Sequence, residues 1–147
     1  MWPFKRSIIY GRQNTPYMKR LKLNLWGGKV LRIHTIYRAD EDKDPHTHPF
    51  GFWTFPLRGY TEEVYTQNHP SRPMWWTMHL NHVKPFRWHW RPVDYVHRIT
   101  NLKGKTLTIV IADSREQDWG FFQKDWDVSP RLTRRTFVPW RKYLDLL

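Results

Sequence analysis

The residues with the clearest chemical potential are two histidines one residue apart, in the segment Pro45-His46-Thr47-His48-Pro49. Side chains two positions apart in a strand point to the same face, so both imidazoles can bind one ion where the backbone is extended. Each proline favours extended geometry in the residue before it. The sequence contains no cysteine, so a metal ion would be bound through histidine, carboxylate or water. A third ligand is expected from a distant strand.

Strands are the elements predicted to position this pair. Short β-rich runs separated by turn residues recur at roughly 8–12-residue spacing, which is typical of a sandwich or barrel. The predicted strands cover 21–26, 30–37, 50–57, 60–67, 74–80, 95–100 and 106–112. The aromatic run over 50–57 is expected to be buried on both faces, and Gly27-Gly28 predicts a tight turn. With little helix beyond a short one at 139–147, the pattern indicates an all-β jelly roll of about eight strands.

The length of 147 residues fits one domain, and no long linker divides the chain. We expect a basic N-terminal segment over 1–20 and a β domain over 21–147 that ends in an aromatic, basic tail. The formal net charge of +12 and the aromatic share of 17% suit two interpretations. One is single-stranded nucleic-acid binding, and the other is a Trp-rich β core with a surface that attracts anions in general. The spread of the charges along the chain favours the second.

Several function classes lack their sequence signature. No 18 apolar residues run together, and the N-terminus has no apolar core of a signal peptide. We therefore expect a cytoplasmic protein with no membrane partner. A Gly-rich phosphate loop and a Gly-x-Ser-x-Gly nucleophile motif are absent, and without cysteine a thiol nucleophile is excluded.

The histidine pair belongs to a stretch that resembles the first motif of the cupin superfamily. In that motif two histidines lead a strand that ends at a glycine turn, as His46, His48 and Gly59 do here. The glutamate that usually stands five residues after the second histidine is replaced by Trp53. A carboxylate ligand, if one is used, is therefore expected from the next strand, where Glu62 or the glutamate after it is the nearest choice.

The segment 91–101 is similar to the second cupin motif, whose pattern is Pro-x-Gly, two residues, His, three residues and Asn. Pro92, His97 and Asn101 fall in register, and Asp94 takes the place of the glycine. The resemblance implies His97 as the third metal ligand. Without the usual glutamate, it also implies a site of three histidines with water, as in the thiol-dioxygenase branch of the cupins.

More narrowly, the chain resembles a set of small cupin-like proteins of phages and bacteria over about 31–143. The shared segments are, in order, His46 to Phe50, Gly59 to Glu62, His97-Arg98, Trp119 to Phe121 and Val138 to Tyr143. This resemblance implies a single-domain cupin-type double-stranded β-helix over 21–147. It also implies the host cytoplasm or a virion as the location of a phage-encoded protein.

The cupin resemblance implies a divalent metal cofactor, either Fe, Mn, Ni or Zn, and a small-molecule substrate. Three imidazole ligands leave positions open for water, oxygen and substrate, so we expect a small-molecule oxygenase or a related metalloenzyme. The alternative is a cupin-fold binding or structural module whose basic surface contacts nucleic acid or a virion or host protein. Cupins often pair through sheet edges, which implies a homodimer.

Further side chains are expected around the three histidines. Those expected to fix the imidazole tautomers or to line an aromatic cavity are Asn101, Glu62, Tyr60, Tyr95 and Trp53. Arg58 is expected at the cavity rim, where it would attract a carboxylate or phosphate. Arg98 could attract the same groups, but strand alternation points it away from His97, which favours a role as a surface charge.

Overall fold

The described chain is built almost entirely of strands. The structure is a computed structural model that describes residues 4–10, 15–114 and 117–145. The strands within these ranges are β1 (Lys5–Tyr10), β2 (Pro16–Asn24), β3 (Val30–Ile36), β4 (Phe52–Pro56), β5 (Tyr60–His69), β6 (Arg72–Val83), β7 (His89–Arg91), β8 (Val96–Leu102), β9 (Thr106–Ala112), β10 (Gly120–Ser129) and β11 (Leu132–Pro139). A short helix, α1 (Trp140–Asp145), follows where one was predicted. No helix in the described ranges is long and apolar enough to cross a membrane.

The strands form two antiparallel sheets. The six-stranded sheet has the order β1-β2-β3-β9-β4-β7, and the five-stranded sheet has the order β10-β11-β6-β5-β8. This arrangement confirms the predicted all-β jelly roll with little helix. Of the sandwich and barrel alternatives, the described strands form the sandwich.

The predicted turn at Gly27-Gly28 connects β2 to β3. The two glycines have φ angles of 65° and 75°, a left-handed backbone that residues with a Cβ rarely adopt. The turn sets a register in which Arg20 of β2 lies opposite His34 of β3. Opposite residues of an antiparallel pair share a face of the sheet, so these two side chains are neighbours.

β4 departs from the expectation for the aromatic run at 50–57. Its side chains alternate between more and less buried positions. Phe52 and Thr54 are buried, whereas Trp53 is 45% exposed and its ring centroid lies 5.4 Å from that of Trp90. The expected burial on both faces is wrong, because in a two-layer sandwich one face of each sheet packs inward and the other remains open.

Four strands lie where no strand was predicted. β1 pairs with β2, and the expected boundary between residues 20 and 21 falls inside β2. β7 pairs with β4, and β10 and β11 form a hairpin in the aromatic, basic tail. The outer half of β10 is exposed, and its apolar residues Trp126 and Val128 alternate with aspartates at the surface.

The buried apolar residues form three clusters. The first is on the six-stranded sheet, the second on the five-stranded sheet, and the third joins β10, β11 and α1. Their members are Phe52, Val110 and Ala112; Tyr65, Trp76 and Val96; and Phe121, Val138 and Tyr143. The third cluster holds β10 in place beside the histidine pair described below.

Candidate metal centre

Three histidines from separate parts of the chain meet at one point. His46, His48 and His97 each offer a ring nitrogen, and these nitrogens lie within 4.8 Å of one another. The ring centroids are 4.9 to 5.1 Å apart. Metal ions such as zinc bind imidazole nitrogen at about 2.0–2.1 Å, so a spacing of this size suits a single shared ion.

The backbone of the first histidine lies between two edge strands. The His46 amide donates to the His97 carbonyl of β8 at 2.9 Å, and the His97 amide donates in return at 3.1 Å. On the other side, the Thr47 amide donates to the Gly120 carbonyl of β10 at 3.0 Å. β8 and β10 are the two edges of the five-stranded sheet. Pairing with both strands gives the segment its extended geometry and puts His46 beside His97.

A buried carboxylate anchors the loop just before the histidine pair. Asp44 is 2% exposed. Its Oδ1 accepts from Arg135 Nη1 and from the Lys124 amide, both at 3.1 Å, and its Oδ2 accepts from the Tyr143 hydroxyl at 2.9 Å. A buried charge is tolerated when it is paired and hydrogen-bonded in this way. The Asp44 centre (Asp44, Arg135 and Tyr143) thus fixes the chain two residues before His46.

Glu62 holds the third histidine in one orientation. Glu62 is fully buried, and its Oε2 lies 2.6 Å from His97 Nδ1. Its Oε1 accepts from Arg91 at 2.8 Å, from Asn81 at 3.0 Å and from the Tyr95 hydroxyl. Burial would raise the pKa of Glu62, but these partners, His97 first, lower it to about 2. Glu62 is therefore a carboxylate, and it accepts the Nδ1 proton of His97.

That contact leaves the other ring nitrogen of His97 without a partner. Its Nε2 is buried and makes no hydrogen bond within the described ranges. Burial also lowers the pKa of His46 to about 4 and holds that of His48 well below its usual value, so both rings are neutral near pH 7. Neutral imidazole is the form that binds metal ions. The residues present therefore fit a metal ion.

Several predicted neighbours of the site gather around Glu62. Tyr95 donates its hydroxyl proton to Glu62, and Tyr60 is hydrogen-bonded to Arg91. Burial first, and then the nearby charge of Glu62, raise the pKa of both tyrosines, so both remain phenols. Glu62 contacts His97 as a tautomer partner, and the three nitrogens within 4.8 Å all belong to histidines. A direct bond from Glu62 to the metal stays a prediction.

The remaining predicted site residues lie at the surface or contact other groups. Trp53, Asn101 and Arg58 are exposed, and Arg58 lies beside the turn between β8 and β9. Arg98 is half-buried and lies 3.4 Å from Glu63 in an ion pair. The aromatic wall expected from Trp53 is therefore supplied by other rings.

A cavity of about 540 Å³ opens onto the histidine pair. Its lining includes His46, His48, Phe50, Trp119, Phe121, Arg20 and Arg32, together with the acidic loop 40–42. A larger cavity of about 820 Å³ is lined by residues of the five-stranded sheet and contains none of the three histidines. The smaller cavity is therefore the one that can bring a molecule to the site.

Arg20 and Arg32 were not predicted as site residues, and no sequence signal pointed to them. Polar residues of an alternating strand are expected on its solvent face. In β3 the order is reversed: Arg32 is 9% exposed, while its apolar neighbour Ile33 is half-buried on the opposite face. From composition and spacing alone, a strand that buries its arginine cannot be distinguished from an ordinary amphipathic strand that exposes it.

Comparisons with known proteins bear on the fold. No family model matches the sequence, and none of the curated proteins matches it significantly. Solved structures do match. Hydroxypropylphosphonic acid epoxidase from S. wedmorenis aligns with a TM-score of 0.51 at 13% identity, over 76% of this chain and 57% of that one. A mutant of Bacillus subtilis oxalate decarboxylase aligns with a TM-score of 0.53 at 9% identity, over 89% of this chain and 30% of that one. The protein has a cupin fold.

A third match is to Streptomyces albus HEPD with the substrate 2-hydroxyethylphosphonate and Fe(II) bound. It has a TM-score of 0.54 at 8% identity, over 77% of this chain and 24% of that one. The chain spans just over half the length of the epoxidase and less than a third of the other two structures. At these identities the likeness establishes the cupin fold of the chain and leaves its activity to its own residues.

Proposed function

We propose that this cupin-fold protein is a metal-dependent enzyme that acts on a small molecule, with the ion held by His46, His48 and His97. The observation that carries the proposal is the pair of contacts on His97. Its Nδ1 is held by Glu62, and its Nε2 is buried beside the two other imidazoles with no hydrogen bond to the described part of the chain. A carboxylate that orients a histidine in this manner is a recurrent feature of metal sites.

The residues of the chain have separate tasks in this proposal. Glu62 keeps the proton of His97 on Nδ1, so that Nε2 presents a lone pair. Three histidine ligands leave coordination positions open toward the cavity, where a substrate can enter. Phe50, Phe121 and Trp119 line that cavity and limit the access of water to the site.

The ion would be iron, manganese, nickel or zinc, since imidazole suits all four. When bound, it supplies Lewis acidity or, in the case of iron, redox exchange with dioxygen. Fe(II) is bound in the structurally similar HEPD, which makes iron the first ion to test. If the ion is iron, we expect the reaction to be that of an oxygenase.

The experiment is elemental mass spectrometry on protein purified without chelator or affinity tag. We expect close to one equivalent of metal in the unaltered protein and none in H46A/H48A. The variant H69A/H79A removes two exposed histidines and is the matched control, which should retain the metal. After reconstitution with each of the four ions, dioxygen consumption with small-molecule panels would distinguish an oxygenase from a hydrolytic enzyme.

Absence of metal from the unaltered protein, even after reconstitution, would contradict the proposal. Equal loss of metal from both double variants would contradict the ligand set. The first of these outcomes would favour a cupin-fold binding or structural module with a basic surface.

A further inference from the structure

The cavity beside the histidines has a cationic wall, formed by Arg20 of β2 and Arg32 of β3. Arg20 lies opposite His34 in the hairpin, and Arg32 is two residues before His34 on the same face. Arg20 and Arg32 both line the cavity, and Arg32 is 9% exposed. The hairpin therefore presents two guanidinium groups to the space that His46 and His48 also line.

Several nitrogens of these two guanidinium groups have no hydrogen-bond partner among the described residues. The Nε of Arg20 and both the Nε and Nη1 of Arg32 are buried and make no hydrogen bond within the described part of the chain. The observed contact of Arg32 is with the face of Phe50, whose ring centroid lies 4.4 Å from the guanidinium carbon. Burying charge without a counterion is costly, and two like charges on one wall add to that cost. A negatively charged ligand would satisfy both groups.

Asp40 and Glu41 of the acidic loop 40–42, which also lines the cavity, contact other groups. Asp40 accepts from the Tyr17 hydroxyl and from a backbone amide of β8. Glu41 forms an ion pair with Arg38 at 2.5 Å. With acids on one part of the lining and arginines on another, an anion is attracted to the arginine wall and repelled from the loop.

We propose that Arg20 and Arg32 bind the carboxylate or phosphoryl group of the substrate, so that the cavity takes a small organic anion. The inference rests on the proposed function, because it names the substrate class of the same site. Guanidinium groups recognise both kinds of anion through paired N–H donors. Phe50 contacts Arg32, and its ring centroid lies 6.5 Å from that of His48. An anion held at the wall thus places the rest of a small molecule near the histidines.

The test is anion binding by titration calorimetry at fixed ionic strength, with inorganic phosphate and acetate as separate probes. The unaltered protein is compared with R20M/R32M and with R6M/R72M, which removes two exposed arginines as a matched control. We expect one probe to bind the unaltered protein and the control equally, and R20M/R32M at least about ten-fold more weakly. The probe that binds more tightly distinguishes a phosphoryl group from a carboxylate.

Two further measurements keep the result interpretable. R20M/R32M should unfold at a temperature no lower than that of the unaltered protein, because it loses the buried charge of Arg32 and the half-buried charge of Arg20. H46A/H48A should bind the probe although it holds no metal. A failed metal site and a failed anion site would therefore give different results in the same set of proteins.

Three outcomes would overturn the proposal. Equal weakening in R20M/R32M and R6M/R72M would assign the effect to net charge. Binding that survives in R20M/R32M and disappears in H46A/H48A would place the anion on the metal instead. The third is an unaltered protein that binds neither phosphate nor acetate.

Discussion

Two buried arginines, Arg135 and Arg32, lie on different sheets and have opposite surroundings. Arg135 on the five-stranded sheet donates to Asp44, to the Phe122 carbonyl and to the Thr133 hydroxyl. Arg32 on the six-stranded sheet has two buried nitrogens that make no hydrogen bond to any residue the structure describes. Burial, followed by the charge of Arg20, lowers its pKa to about 10. Both residues are less than a tenth exposed.

The difference separates a structural charge from a binding charge. A buried ion pair with all its hydrogen bonds made holds elements together, and removing one partner leaves the other buried and uncompensated. A buried cation with open donors gives no such support and is explained by a ligand that completes it. Glu62 combines both properties. Its carboxylate accepts hydrogen bonds like a structural charge, but one of these bonds comes from His97 of the proposed metal site.

The largest expected effect comes from breaking the Asp44 centre. D44A would leave Arg135 buried without its carboxylate, which should cost about 3–5 kcal/mol in the free energy of unfolding. The measurement is urea denaturation, with D125A as the control. Asp125 forms a more exposed ion pair with Arg134 at 3.8 Å, and its loss should cost no more than about 1 kcal/mol. Equal costs for the two variants would show that burial does not set the strength of these pairs.

The next effect concerns Glu62, the buried carboxylate that contacts the metal site. E62Q should weaken metal binding by about 10–100-fold, because the amide holds the Nδ1 proton of His97 less well. E63Q is a matched control on the same strand, since Glu63 contacts Tyr65 and Arg98 instead. Competition titration against a chelator measures both. An affinity unchanged by E62Q would remove Glu62 from the account of the site.

A smaller effect, with the opposite sign, is expected at the arginine wall. R32M should stabilise the fold by about 1–2 kcal/mol, because a buried charge without a counterion is replaced by an apolar side chain of similar length. R135M should destabilise it, since Asp44 would lose its partner. Urea denaturation of the two variants in parallel tests the comparison directly. If R32M destabilises as much as R135M does, the two arginines are equivalent and the distinction fails.

The smallest effect is a dependence of stability on pH through His34. Burial first, and then the charges of Arg20 and Arg32, lower its pKa to about 3 from an ordinary value of 6.5. The unfolded chain therefore takes up a proton below pH 6.5 that the folded chain does not, and stability falls as the pH falls from 6.5 toward 3. Between pH 7 and 5.5 this should cost about 1 kcal/mol.

The measurement for His34 is urea denaturation with a chelator present, so that metal binding does not contribute. H34Q should lose less stability over this pH interval than the unaltered protein. H69Q, which replaces an exposed histidine, should behave like the unaltered protein. A pH dependence that is the same in all three proteins would show that His34 is not a buried neutral base.

The sequence predicted the fold class because turn residues and β-rich runs are local signals. β9 over Thr106–Ala112 has the predicted bounds, since it alternates cleanly between flanking turns. β10 and β11 escaped prediction because their outer ends are exposed and rich in charged residues, which are uncommon in strands. The extended chain at His46 was predicted from its prolines, although its pairing with both β8 and β10 depends on distant strands.

The metal site could be predicted only in part, because only some of its residues carry a local sequence signal. Three histidines could be recognised from a short motif and a resemblance, whereas Arg20, Arg32 and Arg91 reach the interior through sheet register that no single segment encodes. A nucleic-acid, virion or host-protein partner, a homodimer, a phage origin and a cytoplasmic location stay predictions. None of these properties can be read from the contacts within a single chain.

The measurement that tests the central claim most directly is X-ray absorption at the metal edge of the zinc-loaded protein. We predict three imidazole nitrogens bound to the ion at about 2.0–2.1 Å. H46A/H48A should not retain the ion, and H69A/H79A should retain all three imidazole nitrogens. A spectrum of the unaltered protein that fits one imidazole or none would contradict a site built from His46, His48 and His97.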